Sequence, residues 1–135
     1  MEEETEEIDK REKQKYFFDS YAVIEILKEN PKYFRFRDEP IILSIQNLAE
    51  IYWHCLITAE LESDADNVFS KFRKCVVEID DETLKEAIRF RKENKKQDLS
   101  YTDCIGYIYA KRNNLKFLTG DKEFENLPLV EFVKK

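Results

Sequence analysis

Glycine is nearly absent. Gly106 and Gly120 are the only two in 135 residues, so neither a G-x-G-x-x-G dinucleotide turn nor a Walker phosphate loop can be written anywhere in the chain. The single histidine, His54, likewise excludes His-rich zinc sites and the H-E-x-x-H arrangement, which need at least two imidazoles. Three cysteines, Cys55, Cys75 and Cys104, are an odd number with no C-x-x-C pair, and they read as reduced thiols of an intracellular protein. No run of about 18 apolar residues offers a membrane span. The opening MEEETEEIDK is acidic where a secretory signal is basic and then hydrophobic. The expectation is a soluble cytosolic protein whose chemistry leans on carboxylates, hydroxyls or amines.

What the chain does contain is core material. Hydrophobic residues make up 42%, with ten Phe and seven Tyr, enough for one domain of this length to close a core without metal or disulfide staples. The net charge of −6 argues against the whole-surface grip on nucleic acid that basic proteins use. It leaves room for a local basic rim. Residues 2–15 hold seven acids, four bases and one apolar residue, Ile8, so they cannot bury enough surface to fix a conformation and are read as a charged, disordered tail over 1–15. The remainder, 16–135, carries 19 bases against 22 acids and is the folded domain.

From Tyr16 onward short apolar runs alternate with segments of helical period, the pattern of an α/β protein with a mostly parallel sheet, here of about five strands flanked by helices. Strands are expected at 16–18, 41–45, 75–79, 115–118 and 129–133. The 41–45 run is expected to be buried on both faces. Helices are expected from Tyr21 to the Asn30-Pro31 stop, over 47–59, over 61–73, from a cap at Asp80 or Asp81 to about Asn94, and over 101–112 behind Ser100. Asp103 stands three residues after Ser100 in a loose capping box.

Most of the 29 acids fall on solvent faces, but four do not. Asp19 ends the first strand, Glu50 lies in the first turn after the second, and Asp121 follows Lys116-Phe117-Leu118-Thr119-Gly120. All three mark the carboxyl edge of the sheet, where open α/β folds bind ligands. The fourth, Asp103, begins a helix that is apolar nearly all round, where a carboxylate is costly unless compensated. Gly106 and Ala110 on its face are small and are expected to leave space beside the acid. Each acid alone has a plain structural reading: Asp103 as support for a helix N-terminus, Asp19 and Asp121 as turn or cap residues, and Glu50 with His54 and Thr58 as a solvent stripe.

Taken together, the four contexts are more specific. Phe17-Phe18-Asp19-Ser20, Asn47-Leu48-Ala49-Glu50-Ile51-Tyr52, Leu99-Ser100-Tyr101-Thr102-Asp103 and Leu118-Thr119-Gly120-Asp121-Lys122-Glu123-Phe124 resemble, in order and surroundings, the four motifs of PIN-domain ribonucleases, including those that act as toxins of toxin–antitoxin pairs. The resemblance runs from about Tyr16 to Val133. Tyr21 departs from it, standing where many members carry a small polar residue. The resemblance implies a PIN-like fold, endonucleolytic cleavage of RNA, and Mg²⁺ or Mn²⁺ held by Asp19, Glu50, Asp103 and Asp121. It also implies a homodimer and an antitoxin partner. Hard divalent ions prefer such oxygen donors, and Ser20 and Thr119 are the hydroxyls expected to orient the acids. Lys85 to Lys96 and the alternating Phe34, Arg35, Phe36 and Arg37 are candidate RNA contacts. Apolar residues beyond one core face, Trp53 and Ile57 among them, suggest a protein interface. Two alternatives stand beside the toxin: an RNA-processing nuclease without an antitoxin, and a silent RNA- or protein-binding module.

Overall fold

The computed structural model describes residues 14–134. The proposed tail, apart from Gln14 and Lys15, lies outside the described residues. Strand β1 (Tyr16–Phe18) is followed by helix α1 (Ser20–Leu27), a 3-10 helix (Pro31–Phe36), the short strand β2 (Ile41–Ile42) and helix α2 (Ile45–Thr58). Helices α3 (Glu62–Arg73), α4 (Asp81–Glu93) and α5 (Tyr101–Arg112) come next, with a 3-10 turn at Lys95–Gln97 between the last two. Strand β3 (Lys116–Thr119), a 3-10 turn (Lys122–Phe124) and strand β4 (Val130–Phe132) complete the described chain.

Four strands form one sheet in the order β2-β1-β3-β4, and every pairing in it is parallel. Alternation along the strands divides the interior in two. Phe17 and Phe117 face one core with Cys104, Ile105, Tyr107 and Ile108 of α5. Phe18 and Leu118 face the other with Val23, Leu48, Ile51 and Tyr33. Both layers bury large side chains completely, at about 1.5–3 kcal/mol apiece.

The expected strand pattern differs from the structure at one edge. The 41–45 run yields only Ile41–Ile42 as strand, because Ser44 caps α2 and its hydroxyl accepts from the Asn47 amide, which turns the chain into a helix two residues early. These two isoleucines are half-buried, since β2 lies outside β1 and not within the sheet. The 75–79 segment contributes a single parallel bridge, Leu43 to Val76, held by Leu43 N–H to the Cys75 carbonyl at 3.2 Å and Val77 N–H to the Leu43 carbonyl at 2.8 Å. The sheet therefore has four strands and a vestige of a fifth. Helix limits follow their caps, with Asp19, Ser44, Asp80 and Ser100 each accepting a backbone N–H.

Gly106 corrects another expectation. A Cβ built there would lie 2.5 Å from a ring carbon of Phe17 and 3.0 Å from one of Phe117. The space is taken by the two core aromatics and serves to bring α5 against the sheet, not to admit a ligand beside Asp103. Cys104 is buried and Cys55 and Cys75 are half-buried, all as free thiols. No helix among the described residues is long and apolar enough to cross a membrane.

Candidate metal centre

The chain runs from β1 to β2 on one side, then returns to β3 on the other, so the strand order reverses between β1 and β3. The crevice at their carboxyl ends is the place such sheets offer to ligands. Asp19 stands directly after β1, and its N–H extends the ladder to the Leu118 carbonyl at 3.0 Å. Asp121 stands two residues after β3, its N–H on the Thr119 hydroxyl at 3.0 Å. Glu50 arrives from α2 and Asp103 from the first turn of α5. All four line one cavity of about 240 Å³, together with Ser20, Tyr21, Ile24 and Ser100. Asp19 and Asp121, at opposite ends of the domain in sequence, are thereby brought to one spot.

The plain structural roles are also present. Asp19, almost fully buried, caps α1 by accepting from Ala22 N–H at 2.7 Å. Asp121 accepts from Glu123 N–H at 3.0 Å. Asp103 occupies the third helical position, its N–H on the Ser100 hydroxyl at 3.0 Å. Capping and cavity lining are compatible because a carboxylate has two oxygens. Glu50 sits in the second turn of α2, since that helix starts at Ile45, and not in its first. The Glu50–His54–Thr58 row divides accordingly: Glu50 reaches the cavity, while His54 and Thr58 do not line it, and the Thr58 hydroxyl bonds back to the His54 carbonyl at 2.8 Å.

Glu50 is held by a directional chain that reaches it through Ser20, the hydroxyl expected there, from Ser44 and Asn47, which the sequence did not single out. The Ser44 hydroxyl donates to Asn47 Oδ1 at 2.7 Å, Asn47 Nδ2 donates to the Ser20 hydroxyl at 3.0 Å, and Ser20 donates to Glu50 Oε1 at 2.6 Å. Ser44 and Asn47 are fully buried, and Asn47 Oδ1 also accepts from Ser44 N–H at 2.9 Å. The S-x-x-N spacing before an apolar helix was the available signal. Tyr21, the departure from the family pattern, lines the cavity wall and approaches the place a Cβ on Gly120 would occupy, at 3.1 Å.

Electrostatics mark the cavity more sharply than its size. Its lining includes no Lys or Arg, and among the described residues no ion pair involves Glu50, Asp103 or Asp121. Burial first, then the charges of Asp19, Asp121 and Glu50, push the Asp103 carboxyl up to about 7, against a partly opposing hydrogen bond with Ser100. Three acids thus favour a proton on a fourth. Cys104, beside it, is pushed up to about 11 by burial and by Asp103, which makes it a poor nucleophile near neutrality.

Such a set suits a hard divalent cation. Among the described residues, no three His, Cys, Asp or Glu side chains stand as a ready-made ion cage. Mg²⁺ does not require one, because it keeps several waters and takes one or two carboxylates directly. The donors are all oxygens, and the lining carries four carboxyl groups and no Lys or Arg. The residues present fit Mg²⁺ or Mn²⁺.

The two candidate RNA strips are partly spent on the fold. Phe36 is buried with the Arg35 guanidinium 4.4 Å above it, and Arg35 also reaches Glu131 at 3.4 Å. Phe34 remains exposed, with Arg37 4.8 Å from its ring. In the 85–96 stretch, Arg91 donates to the Leu99 carbonyl at 2.8 Å and lies over the Tyr101 ring, and Lys85 pairs with Glu82. Arg89, Lys92, Lys95 and Lys96 stay exposed.

Comparison with known proteins adds to this geometry. Residues 16–129 match the family described as PIN domain. A toxin–antitoxin complex from Klebsiella pneumoniae contains a chain with TM-score 0.70 and 17% identity, covering 90% of this chain and 99% of that one. VapBC2 from Rickettsia felis, bound to a DNA fragment from its promoter, gives TM-score 0.65 at 15% identity, with 89% and 98% covered. PAE2754 from Pyrobaculum aerophilum gives 0.63 at 18%, with 89% and 91% covered. No curated protein shows significant sequence similarity.

Proposed function

Because the chain belongs to the PIN domain family, whose members are generally nucleases, we propose that it is a metal-dependent endoribonuclease, the toxin of a toxin–antitoxin pair acting in the cytoplasm. One observation carries the enzymatic reading: Asp19, Glu50, Asp103 and Asp121, each from a different motif, line a single cavity at the switch point of the sheet. These four acids would hold one or two Mg²⁺ or Mn²⁺ ions. A bound divalent cation supplies charge against the carboxylates' mutual repulsion, polarises a phosphoryl oxygen and lowers the pKa of water toward about 7. The chain's own residues do the positioning. Ser20 fixes the orientation of Glu50, and Thr119 ties the turn that carries Asp121. Asp103, whose carboxyl burial and the neighbouring acids push up to about 7, would have to be ionised to serve as a ligand. With one half-buried histidine outside the cavity, no side chain of the site needs to act as an imidazole base. A binding module without activity has no use for four acids gathered in one cavity, where burial and mutual repulsion push the Asp103 carboxyl up to about 7.

Purified protein incubated with a pool of structured RNAs in Mn²⁺ should yield discrete cut ends, and EDTA should abolish them. A pool left intact under both conditions would contradict the proposal.

The hydrogen-bond chain behind Glu50 predicts a coupled pair of variants. Asn47→Asp keeps the acceptor used by Ser44 but can no longer donate to Ser20, and Ser20→Ala removes the hydroxyl that reaches Glu50. Each should weaken Mn²⁺ affinity by roughly 10- to 100-fold, the usual effect of losing a residue that orients a metal ligand. The double variant should be no weaker than the worse single one. Calorimetric Mn²⁺ titration of the four proteins checks this, and additive losses would show that the two side chains act separately.

The toxin assignment draws on a surface and not on the site. Trp53 is 65% exposed, Ile57 61% and Leu61 62%, with Ile45 and Leu56 also open, so α2 and its exit carry more apolar surface than an isolated domain leaves in water. That face suits a second subunit or an antitoxin. A small reading frame beside the gene would favour a toxin; its absence would favour an RNA-processing nuclease.

A further inference from the structure

Asp121 lines two cavities. Beyond the acid cavity it forms part of a second one of about 490 Å³, with Gly120, Lys122, Glu123, Phe132 and Lys134. The walls come from the turn after β3 and from the residues ending and following β4. The parallel register Thr119 to Phe132 brings them side by side, and Val133 N–H reinforces it on the Thr119 carbonyl at 2.9 Å. Lys32 joins them from the 3-10 helix, its Nζ donating to the Lys134 carbonyl at 3.5 Å. Lys122 and Lys134 thus line the cavity from two neighbouring strand ends, and Lys32 touches its border through the Lys134 backbone. Among the described residues none of the three takes part in an ion pair.

We propose that this cavity holds the nucleotide next to the scissile phosphate, with its phosphate against Lys122 and Lys134 and its sugar or base against Phe132. The proposal rests on the nuclease reading above. An RNA strand whose reacting phosphate lies among four carboxylates brings further negative charge with it, and that charge needs neutralising close by. On a chain of net charge −6, Lys122 and Lys134 are the cations placed in a cavity that shares Asp121 with the acid cavity. The cavity's size falls within the range of about 300–1,000 Å³ common for small-ligand sites. Glu123 on the same wall limits the positive field, which favours one phosphate over a run of them. An acidic protein segment would seek the same ammonium groups but would have no reason to border the acids.

The test is fluorescence anisotropy of a labelled single-stranded RNA on the full chain carrying Asp103→Asn, alone and with Lys122→Gln, Lys134→Gln or both, across a range of KCl. Each lysine change should weaken binding roughly three- to tenfold and lower the salt slope by about 0.7, with the double variant weaker than either. Lys122→Arg should restore most of the loss, and thermal melts should not move. Unchanged affinity and slope in the double variant would overturn the proposal. So would lost binding of polyglutamate with RNA binding intact, which would assign the cavity to a protein segment. In the otherwise unaltered enzyme, the double variant's KM should rise by a larger factor than its kcat falls. Should the unaltered enzyme cut no RNA, the nuclease reading fails, while the anisotropy series still decides whether the lysines bind a nucleotide.

Discussion

Asp103→Asn is expected to destroy activity and, in metal-free protein above neutral pH, to raise stability. The carboxyl is pushed up to about 7 in the fold, against 3.8 as its ordinary value. Between those values the folded state binds more protons than the unfolded chain, so metal-free stability falls as pH rises from about 4 to about 7 and stays low above it. An amide of the same shape carries no such penalty. At pH 8 the variant should gain on the order of 2–4 kcal/mol, seen as a rise in Tm of roughly 10 °C for a domain of this size; at pH 4 the gain should vanish. Loss of a ligand that stabilises transition-state charge is worth several kcal/mol, so cleavage should drop by about a thousandfold or more. A residue that merely supported the helix N-terminus would give the opposite stability change, because its negative charge there is favourable.

Metal binding should show the complementary pH dependence. Mn²⁺ must displace the proton that the other three acids favour on Asp103, so its apparent affinity should weaken by about tenfold for each pH unit below 7 and level off above. At 100 times its dissociation constant the ion should stabilise the fold by about 2.7 kcal/mol. Metal-free protein therefore loses stability on going from pH 5 to pH 8, while the stabilisation by Mn²⁺ grows over the same interval. The Asp103→Asn variant should lose most of the pH dependence of binding. Thermal melts over a grid of pH and Mn²⁺ concentration check both trends, and a stabilisation that is flat with pH would separate the ion from Asp103.

How far the sequence already spoke for this arrangement differs from residue to residue. The helices were legible through their caps, since Asp19, Asp80 and Ser100 stand where side-chain oxygens meet unpaired N–H groups. Asp19 and Asp121 were legible near strand ends and Asp103 as a break in an apolar helix, whereas Glu50, in the second turn of α2, stood out only through the resemblance of the motif around it. Their convergence on one cavity depends on the order β2-β1-β3-β4, which periodicity does not encode. The second strand was read too long because Ile45 continues the apolar run while Ser44 has already begun a helix; local capping outweighed β-propensity. Gly106 looked like room for a ligand, but a missing side chain does not say which neighbour fills the gap, and Phe17 fills it. Asn47 passed unnoticed because its work is done through Ser20, 27 residues away. The lysine pair was equally invisible, as Lys122 and Lys134 come to one cavity only after β4 pairs with β3.

The most direct measurement is anomalous diffraction from crystals soaked in Mn²⁺. A Mn²⁺ peak should appear in the cavity bounded by Asp19, Glu50, Asp103 and Asp121 and should disappear from crystals of the Asp103→Asn variant. A cavity without anomalous density at saturating Mn²⁺, or an ion bound elsewhere with these four carboxylates turned away from one another, would contradict the account.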